Sequence, residues 1–410
     1  MSTAGIGGQG VAKPVGKPLA GIRVLDLPKV LAGPLCAQYL GEMGAEIIKV
    51  EATGTGDETR GWPPFAGPGL GAVFLSANRN KRSIAVDLKT KAGRAIVHKL
   101  AETADIAIES FGTGVVERLG IDAATLRGIN PRLICCSISG FGRTGPMKDA
   151  PGYDVILQAF CGVMALTGDE SGGHIRSPIS PIDQMTGTHA LAGILALLYQ
   201  RQATGEGGTV NVSLYDTAMG LLGYNLQTFW EKGVQPRKCG SSHDSLCPYQ
   251  AFEASDGPIM IGVANDNLWR KFCAAAGLGD IADHPDFRSN SDRVRNRPAT
   301  LARVQQALSA NTVAHWHESL SRAGIPCSPI NSLAQLLEHP HTAASGIVME
   351  YDHPTGGVLK GIGQPVRFNG EPAKPGLPSP DLGQHTDAIL SEIGFSQAEI
   401  AGLREQRAVG

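Results

Sequence analysis

Alternation of short apolar runs with amphipathic stretches through the first half of the chain constrains the fold most. Residues 21–27 (GIRVLDL), 45–51 (AEIIKVE), 105–110 and 132–141 (RLICCSISGF) read as strands. Residues 34–44, with proline at the start and glycine at the end, and residues 91–104 read as helices between them. Strands joined through helices pair in parallel and must be covered on both faces, so the expected fold class is α/β with a doubly wound sheet. Ligands in such sheets bind beyond the carboxyl ends of the strands. The loops of interest are therefore 30–34 (VLAGP), 54–62 (GTGDETRGW), 111–114 and 140–146 (GFGRTGP).

The second half changes character. A helical pattern over 188–203 places Leu191, Ile194, Leu195 and Leu198 on one face, TGEGG breaks it at 204–208, and 209–214 (TVNVSL) reads as another strand. Residues 233–247 are rich in Gly, Ser and Lys and read as a linker. Strand patterns at 249–252 and 259–263 and helical patterns at 266–276 and 299–320 then predict a smaller α+β domain over 248–340. Residues 345–380 are Gly- and Pro-rich and extended, and 387–407 are helical. The first 17 residues lack the apolar segment of a secretion signal and read as a disordered arm.

Several function classes are excluded. With 36 basic against 38 acidic residues there is no broad basic face for nucleic acid. No apolar run approaches the ~18 residues of a membrane span. The eight cysteines are scattered without zinc spacing and read as buried free thiols in a reducing, cytoplasmic compartment, Cys135 and Cys136 pointing to opposite faces of one strand. No metal-ligand cluster, GxGxxG fingerprint, GxSxG elbow or Cys–His signature is present.

Asp183, in PIDQMTG (181–187), stands at the start of the long helix. Position favours a helix cap, an aspartate accepting first-turn amides. The same place suits a nucleophile, since amides and helix dipole would keep the carboxylate ionised. A carboxylate that attacks a thioester forms a mixed anhydride and divides one difficult exchange into easier steps. Gly187, Ala190 and Gly193 would admit a close neighbour. His189 is a candidate base, though a core-edge histidine is the plainer reading, and His243 with Asp244 are candidates in the linker. Arg60, Lys81, Arg82, Lys89 and Arg118 could converge on a ligand bearing several phosphates.

Taken together, these residues resemble the class III CoA-transferases, the carnitine CoA-transferase and formyl-CoA transferase family, over about residues 18–403. The resemblance rests on 21–27 leading into Ala32-Gly33-Pro34, on 40–51, 54–62, 80–88 (NKRSIAVDL), 140–146, Gly152-Tyr153-Asp154, 204–216, Gly324-Ile325-Pro326 and 382–386 (LGQHT). It implies that Asp183 is the nucleophile and that coenzyme A, as substrate with no permanently bound cofactor, contacts Leu31, Ala32, Val86, Asp87, Leu88, Lys89, Ser110, Phe111, Gly112, Arg118, Ser139, Gly140, Phe141 and Gly142. Ser110 and Ser139 stand where relatives carry asparagine and lysine. It further implies a large Rossmann-like domain built from both chain ends (18–232 with 341–410), a small middle domain, and an interlocked homodimer with the site between domains. The implied partners are an acyl-CoA and a small carboxylic acid, with no nucleic acid, membrane or metal. Tyr153 and His243 are candidate substrate contacts.

The runner-up, an α-methylacyl-CoA racemase of the same fold, needs a histidine where this chain has Tyr153, and tyrosine is a poor base at neutral pH. A non-catalytic partner subunit would lack Asp183, and a dinucleotide oxidoreductase would need the missing phosphate loop. Residues 78–86, 241–252 and 346–353 most resemble succinyl-CoA:dicarboxylate enzymes such as the glutarate CoA-transferases. That predicts a cation for the distal carboxylate, with Arg143, Arg176 and His243 as candidates.

Overall fold

A computed structural model describes residues 17–371, 374 and 376–410. The arm expected over residues 1–17 lies, but for Lys17, outside the described residues. Six strands, β1 (Arg23–Asp26), β2 (Glu46–Glu51), β3 (Lys81–Ala85), β4 (Ile106–Glu109), β5 (Ile134–Ser139) and β6 (Thr209–Ser213), form one sheet in the order β3-β2-β1-β4-β5-β6. Every neighbouring pair is parallel. This is the doubly wound, Rossmann-type order, and it reverses direction between β1 and β4.

Because both sheet faces are covered, the central strands carry apolar residues at successive positions. Leu25, Ile48, Val50 and Ile84 face Ile96, Val97 and Leu100 of α2 (Lys91–Ala101). The alternate residues Val24, Ile47, Ile106, Ile134 and Ile138 face Cys36, Ala37 and Leu40 of α1 (Ala32–Glu42), with Leu191 and Ile194 beyond. Cys135 belongs to the first layer and Cys136 to the second, as neighbours on a strand must. All eight cysteines are free.

β3 was not anticipated as a strand. Its sequence KRSIA opens on two charges, yet Lys81 is fully buried, its Nζ donating to Asp26 Oδ2 at 2.7 Å. An ion pair satisfied beneath the sheet hid the strand from an apolar-run reading. The long helix, α4 (Pro181–Thr204), begins seven residues before the predicted start, with Pro181 at its first position. A Cβ on Gly187 would stand 2.5 Å from the Ala32 carbonyl oxygen, and one on Gly193 2.7 Å from Val210 Cγ1. The small residues of α4 are thus places where α1 and β6 come close.

The chain divides into two compact units. The first comprises the sheet, residues through Cys161, Pro178–Leu222 and Ala344–Gly410. In it the chain end returns to β3, where Gly410 N–H donates to Ala85 O and Val409 bridges Val86. The extended stretch of the return contains an antiparallel hairpin, Val348–His353 with Gly357–Ile362. The second unit, Gly162–Ser177 with Gly223–Ala343, holds a three-stranded antiparallel sheet over a core of Trp269, Phe272, Ile259, Ile261 and Trp316. There the helical pattern over 299–320 is two helices, Arg297–Leu308 and Val313–Arg322. Among the described residues no helix is long and apolar enough to cross a membrane.

Candidate active site

A cleft of about 470 Å³ opens at the carboxyl ends of β1, β4 and β5, at the reversal of strand order. The loop after β1 supplies Lys29 to Gly33, the loop after β4 Ser110 to Thr113, and the end of β5 Ile138 to Gly140. Glu58, Arg143, residues 148–153, Asp183 and Leu214 complete the wall.

Asp183 is the third residue of α4, whose cap is Ser180 with left-handed backbone (φ 48°, ψ 58°) and no side-chain capping bond. The first-turn amides are held from outside. Asp154, on α3 (Asp154–Phe160), accepts Ile182 N–H at 2.9 Å and Asp183 N–H at 3.1 Å, both on Oδ2. Gln158 Nε2 donates to its Oδ1. Asp183 is therefore not the cap that its position predicts. Its own carboxylate accepts no hydrogen bond among the described residues, and it faces the cleft. Burial, with the Asp154 charge beside it, pushes its pKa up to about 7. The helix start does not hold this carboxylate as a low-pKa anion, because Asp154 occupies the amides that would have done so. What results is an unpaired, unusually basic carboxylate in a cleft.

Of the residues implied to contact coenzyme A, Leu31, Ala32, Ser110, Phe111, Gly112, Ser139 and Gly140 line this cleft together with Tyr153. Phe141 lies in an aromatic group with Phe160 (centroids 5.1 Å) and Tyr215 (6.4 Å), and Gly142 turns the chain with φ 94°. Val86 is buried and Leu88 packs on the apolar layer. Asp87 Oδ1 accepts Lys89 N–H at 2.9 Å. Lys89 and Arg118 are exposed, and neither has a carboxylate partner among the described residues. Arg118 folds back over the 112–114 turn, its Nη1 lying 3.2 Å from where a Gly114 Cβ would stand.

The other expected cations do not converge on a ligand. Arg60 makes two 2.8 Å bonds to Glu51, Lys81 is buried on Asp26, and Arg82 pairs with Glu46 at 2.7 Å and Glu392 at 2.6 Å. Arg143 lines the cleft, but its donors are committed to Glu109 Oε1 (2.7 Å), Phe111 O (2.7 Å) and Ser137 Oγ (2.9 Å). It braces the 110–113 loop rather than offering a free charge. His189 is exposed on α4, its Nδ1 3.1 Å from Thr217 Oγ1. Arg176 and His243 belong to the second unit, where His243 lies between the rings of Tyr224 and Tyr249.

Asp154, Lys29 and Lys148 were missed as site residues by sequence reasoning. Lys29 and Lys148 line the cleft without an ion-pair partner among the described residues. Lys29 stands three residues beyond the end of β1, in a loop that the strand-end rule could have flagged. Lys148 carried no signal. Among the described residues no group of His, Cys, Asp and Glu could hold a metal ion.

Comparison with known proteins gives consistent results. The model of CoA-transferase family III matches residues 19–386. The sequence is 35% identical over 378 residues to human succinyl-CoA:glutarate CoA-transferase, covering 92% of this chain and 86% of that one. It is 37% identical over 392 residues to acetyl-CoA:oxalate CoA-transferase of Acetobacter aceti, covering 95% and 98%. A crystal structure of a CaiB/BaiF family protein from Brucella suis is similar with TM-score 0.81 at 34% identity, over 92% of this chain and 100% of that one.

Proposed function

The chain belongs to CoA-transferase family III, and on that premise we propose that it moves coenzyme A from succinyl-CoA to a small dicarboxylic acid with Asp183 as nucleophile. The observation carrying the proposal is the Asp183 carboxylate, basic and without a hydrogen-bond donor among the described residues, inside a cleft at the sheet's switch point. An Asp183 oxygen attacks the thioester carbonyl, the C–S bond breaks, and an aspartyl–acyl anhydride forms with CoA thiolate as leaving group. The thiolate then attacks the Asp183 carbonyl carbon, releasing the donor carboxylate and leaving an aspartyl-CoA thioester. The acceptor carboxylate attacks that thioester, giving a second anhydride and thiolate again. Attack of thiolate on the acceptor acyl carbon restores the Asp183 carboxylate. No net proton is consumed, so no separate acid or base is required.

The dicarboxylate assignment draws on the glutarate enzyme's similarity and on Lys29 and Lys148, the cleft cations left for an anionic end. Oxalate, the acceptor named for the Acetobacter relative, is the alternative within the class. A racemase is disfavoured because no histidine is among the described residues lining the cleft, where Tyr153 stands instead. We assign a homodimer to the protein on the resemblance, supported by the exposed apolar side chains Ile156, Phe160, Ile179 and Tyr199 on and beside α3 and α4.

Incubation with succinyl-CoA and a panel of carboxylic acids, followed by mass spectrometry of the CoA esters, tests the function. A glutaryl-type CoA ester is expected. No exchange with any acid, together with epimerisation of a 2-methylacyl-CoA, would overturn it. Light scattering after size exclusion tests the dimer.

A further inference from the structure

The strand-end motifs KVE (49–51) and GDETR (56–60) do not line the cleft, apart from Glu58, although they sit behind its wall. Lys49, Asp57, Asp26 and Lys81 are buried side chains and form a chain of charges. Lys49 Nζ lies 3.1 Å from Asp57 Oδ2 and 3.8 Å from Asp26 Oδ2, and Lys81 Nζ 2.7 Å from Asp26 Oδ2. Burying four charges is costly unless their mutual geometry and further hydrogen bonds offset the lost hydration.

All three anchoring members reach the same loop. Lys49 Nζ donates to Pro28 O at 3.0 Å, Lys81 Nζ donates to Pro34 O at 2.8 Å, and Asp57 Oδ1 accepts Val30 N–H at 3.3 Å. Between these anchors Val30 has φ 72°, a left-handed conformation unfavourable for a β-branched residue. Such a residue persists only where its surroundings over-determine it. The turn leads directly into α1, whose N-cap Leu31 offers no side-chain capping bond. The amides of Ala32 and Gly33 have no acceptor within the helix and none elsewhere among the described residues, and both residues line the cleft.

We infer that Lys49 and Asp57 are positioning residues for the acyl-CoA thioester, clamping residues 28–34 in a strained turn that presents the first amides of α1 to the cleft. The inference rests on the transferase reading, because it gives the presented amides an acyl-CoA to receive. Neither side chain touches substrate, and each acts through the loop backbone.

Three variants in the full-length protein test this: Lys49→Met, Asp57→Asn, and both together. Lys49→Met leaves the buried Asp57 without its cation, Asp57→Asn leaves Lys49 with only the more distant Asp26, and each lowers the melting temperature. The double variant removes both charges and recovers most of that loss, yet it does not restore the bond to Pro28 O. The clamp predicts that CoA affinity in the double variant, measured by calorimetry, stays about 10-fold or more below wild type, since small misplacements of positioning groups are costly. It also predicts that amide hydrogen exchange over residues 29–33 is faster in the ligand-free double variant than in ligand-free wild type. Recovery of affinity along with stability would overturn the inference, as would unchanged exchange in that loop. Wild-type protein that fails to bind CoA would instead refute the transferase reading, while the exchange data on ligand-free protein still judge the clamp.

Discussion

The Asp154 carboxylate accepts the backbone N–H of Asp183 at 3.1 Å, and with the Ile182 N–H on the same oxygen it caps the helix that carries Asp183. One carboxylate thereby fixes the other's place while its charge makes the other more basic. A buried anion next to a second anion is a stronger nucleophile than a hydrogen-bonded one, though it must be ionised to attack.

Asp154→Asn separates the two effects. Asparagine can still accept both amides through its carbonyl oxygen, while the like charge is gone. The Asp183 pKa then falls, and the acid limb of the pH profile of kcat/KM, expected near pH 7, moves down by about one unit. Asp154→Ala also loses the cap, costing about 1 kcal/mol of stability. An acid limb unmoved in Asp154→Asn would contradict the coupling.

Stability should carry the opposite sign from an ordinary paired carboxylate. Asp183 titrates at about 7 in the folded protein and near ~3.9 unfolded, so the folded state binds more protons between those values. Stability therefore falls as pH rises from about 4 to about 7 and is level above. Asp183→Asn removes that loss. It should stabilise the protein at pH 8 by about 1–2 kcal/mol, well below the ~4 kcal/mol that three units would give, because the carboxyl faces an open cleft. At pH 4 it should be near neutral. Thermal melts of both proteins at the two pH values check this, and an equal shift at both would contradict it.

Arg143→Met should act on the donor rather than on the acceptor. Loss of the bonds to Phe111 O, Glu109 and Ser137 frees the loop after β4, so KM for acyl-CoA rises about 10-fold. KM for the acceptor acid stays near wild type. The reverse pattern in steady-state kinetics would make Arg143 the acceptor's cation after all.

Gly187→Ala places a methyl group 2.5 Å from the Ala32 carbonyl oxygen, on backbone that cannot yield cheaply. The expected loss is about 1–3 kcal/mol in urea unfolding. A neutral result would show that α1 and α4 have more room than the structure gives them.

Much of the sheet was legible because its strands are buried on both faces and so carry unbroken apolar runs, as in residues 132–141. β3 was not, since the charges of Lys81 and Arg82 are satisfied by Asp26, Glu46 and Glu392, far away in sequence. The loops around the cleft were legible from strand ends alone. The cation roles were not, because whether an arginine is free or bound depends on partners that only the fold brings together. Arg60 and Arg143 both read as ligand-facing, and the fold gives them Glu51 and Glu109 as partners. The cap was misassigned to Asp183 for the same reason, its true supplier standing 29 residues earlier on another helix.

Transfer through Asp183 is covalent and leaves an adduct that can be trapped. Protein incubated with succinyl-CoA, without acceptor, is quenched and digested, and the peptides are analysed by mass spectrometry with and without hydroxylamine. A CoA thioester is expected on the peptide containing Asp183, converted to the hydroxamate by hydroxylamine and absent from Asp183→Ala, which still binds CoA but no longer transfers it. An adduct on another residue, or near-normal turnover by Asp183→Ala, would contradict it.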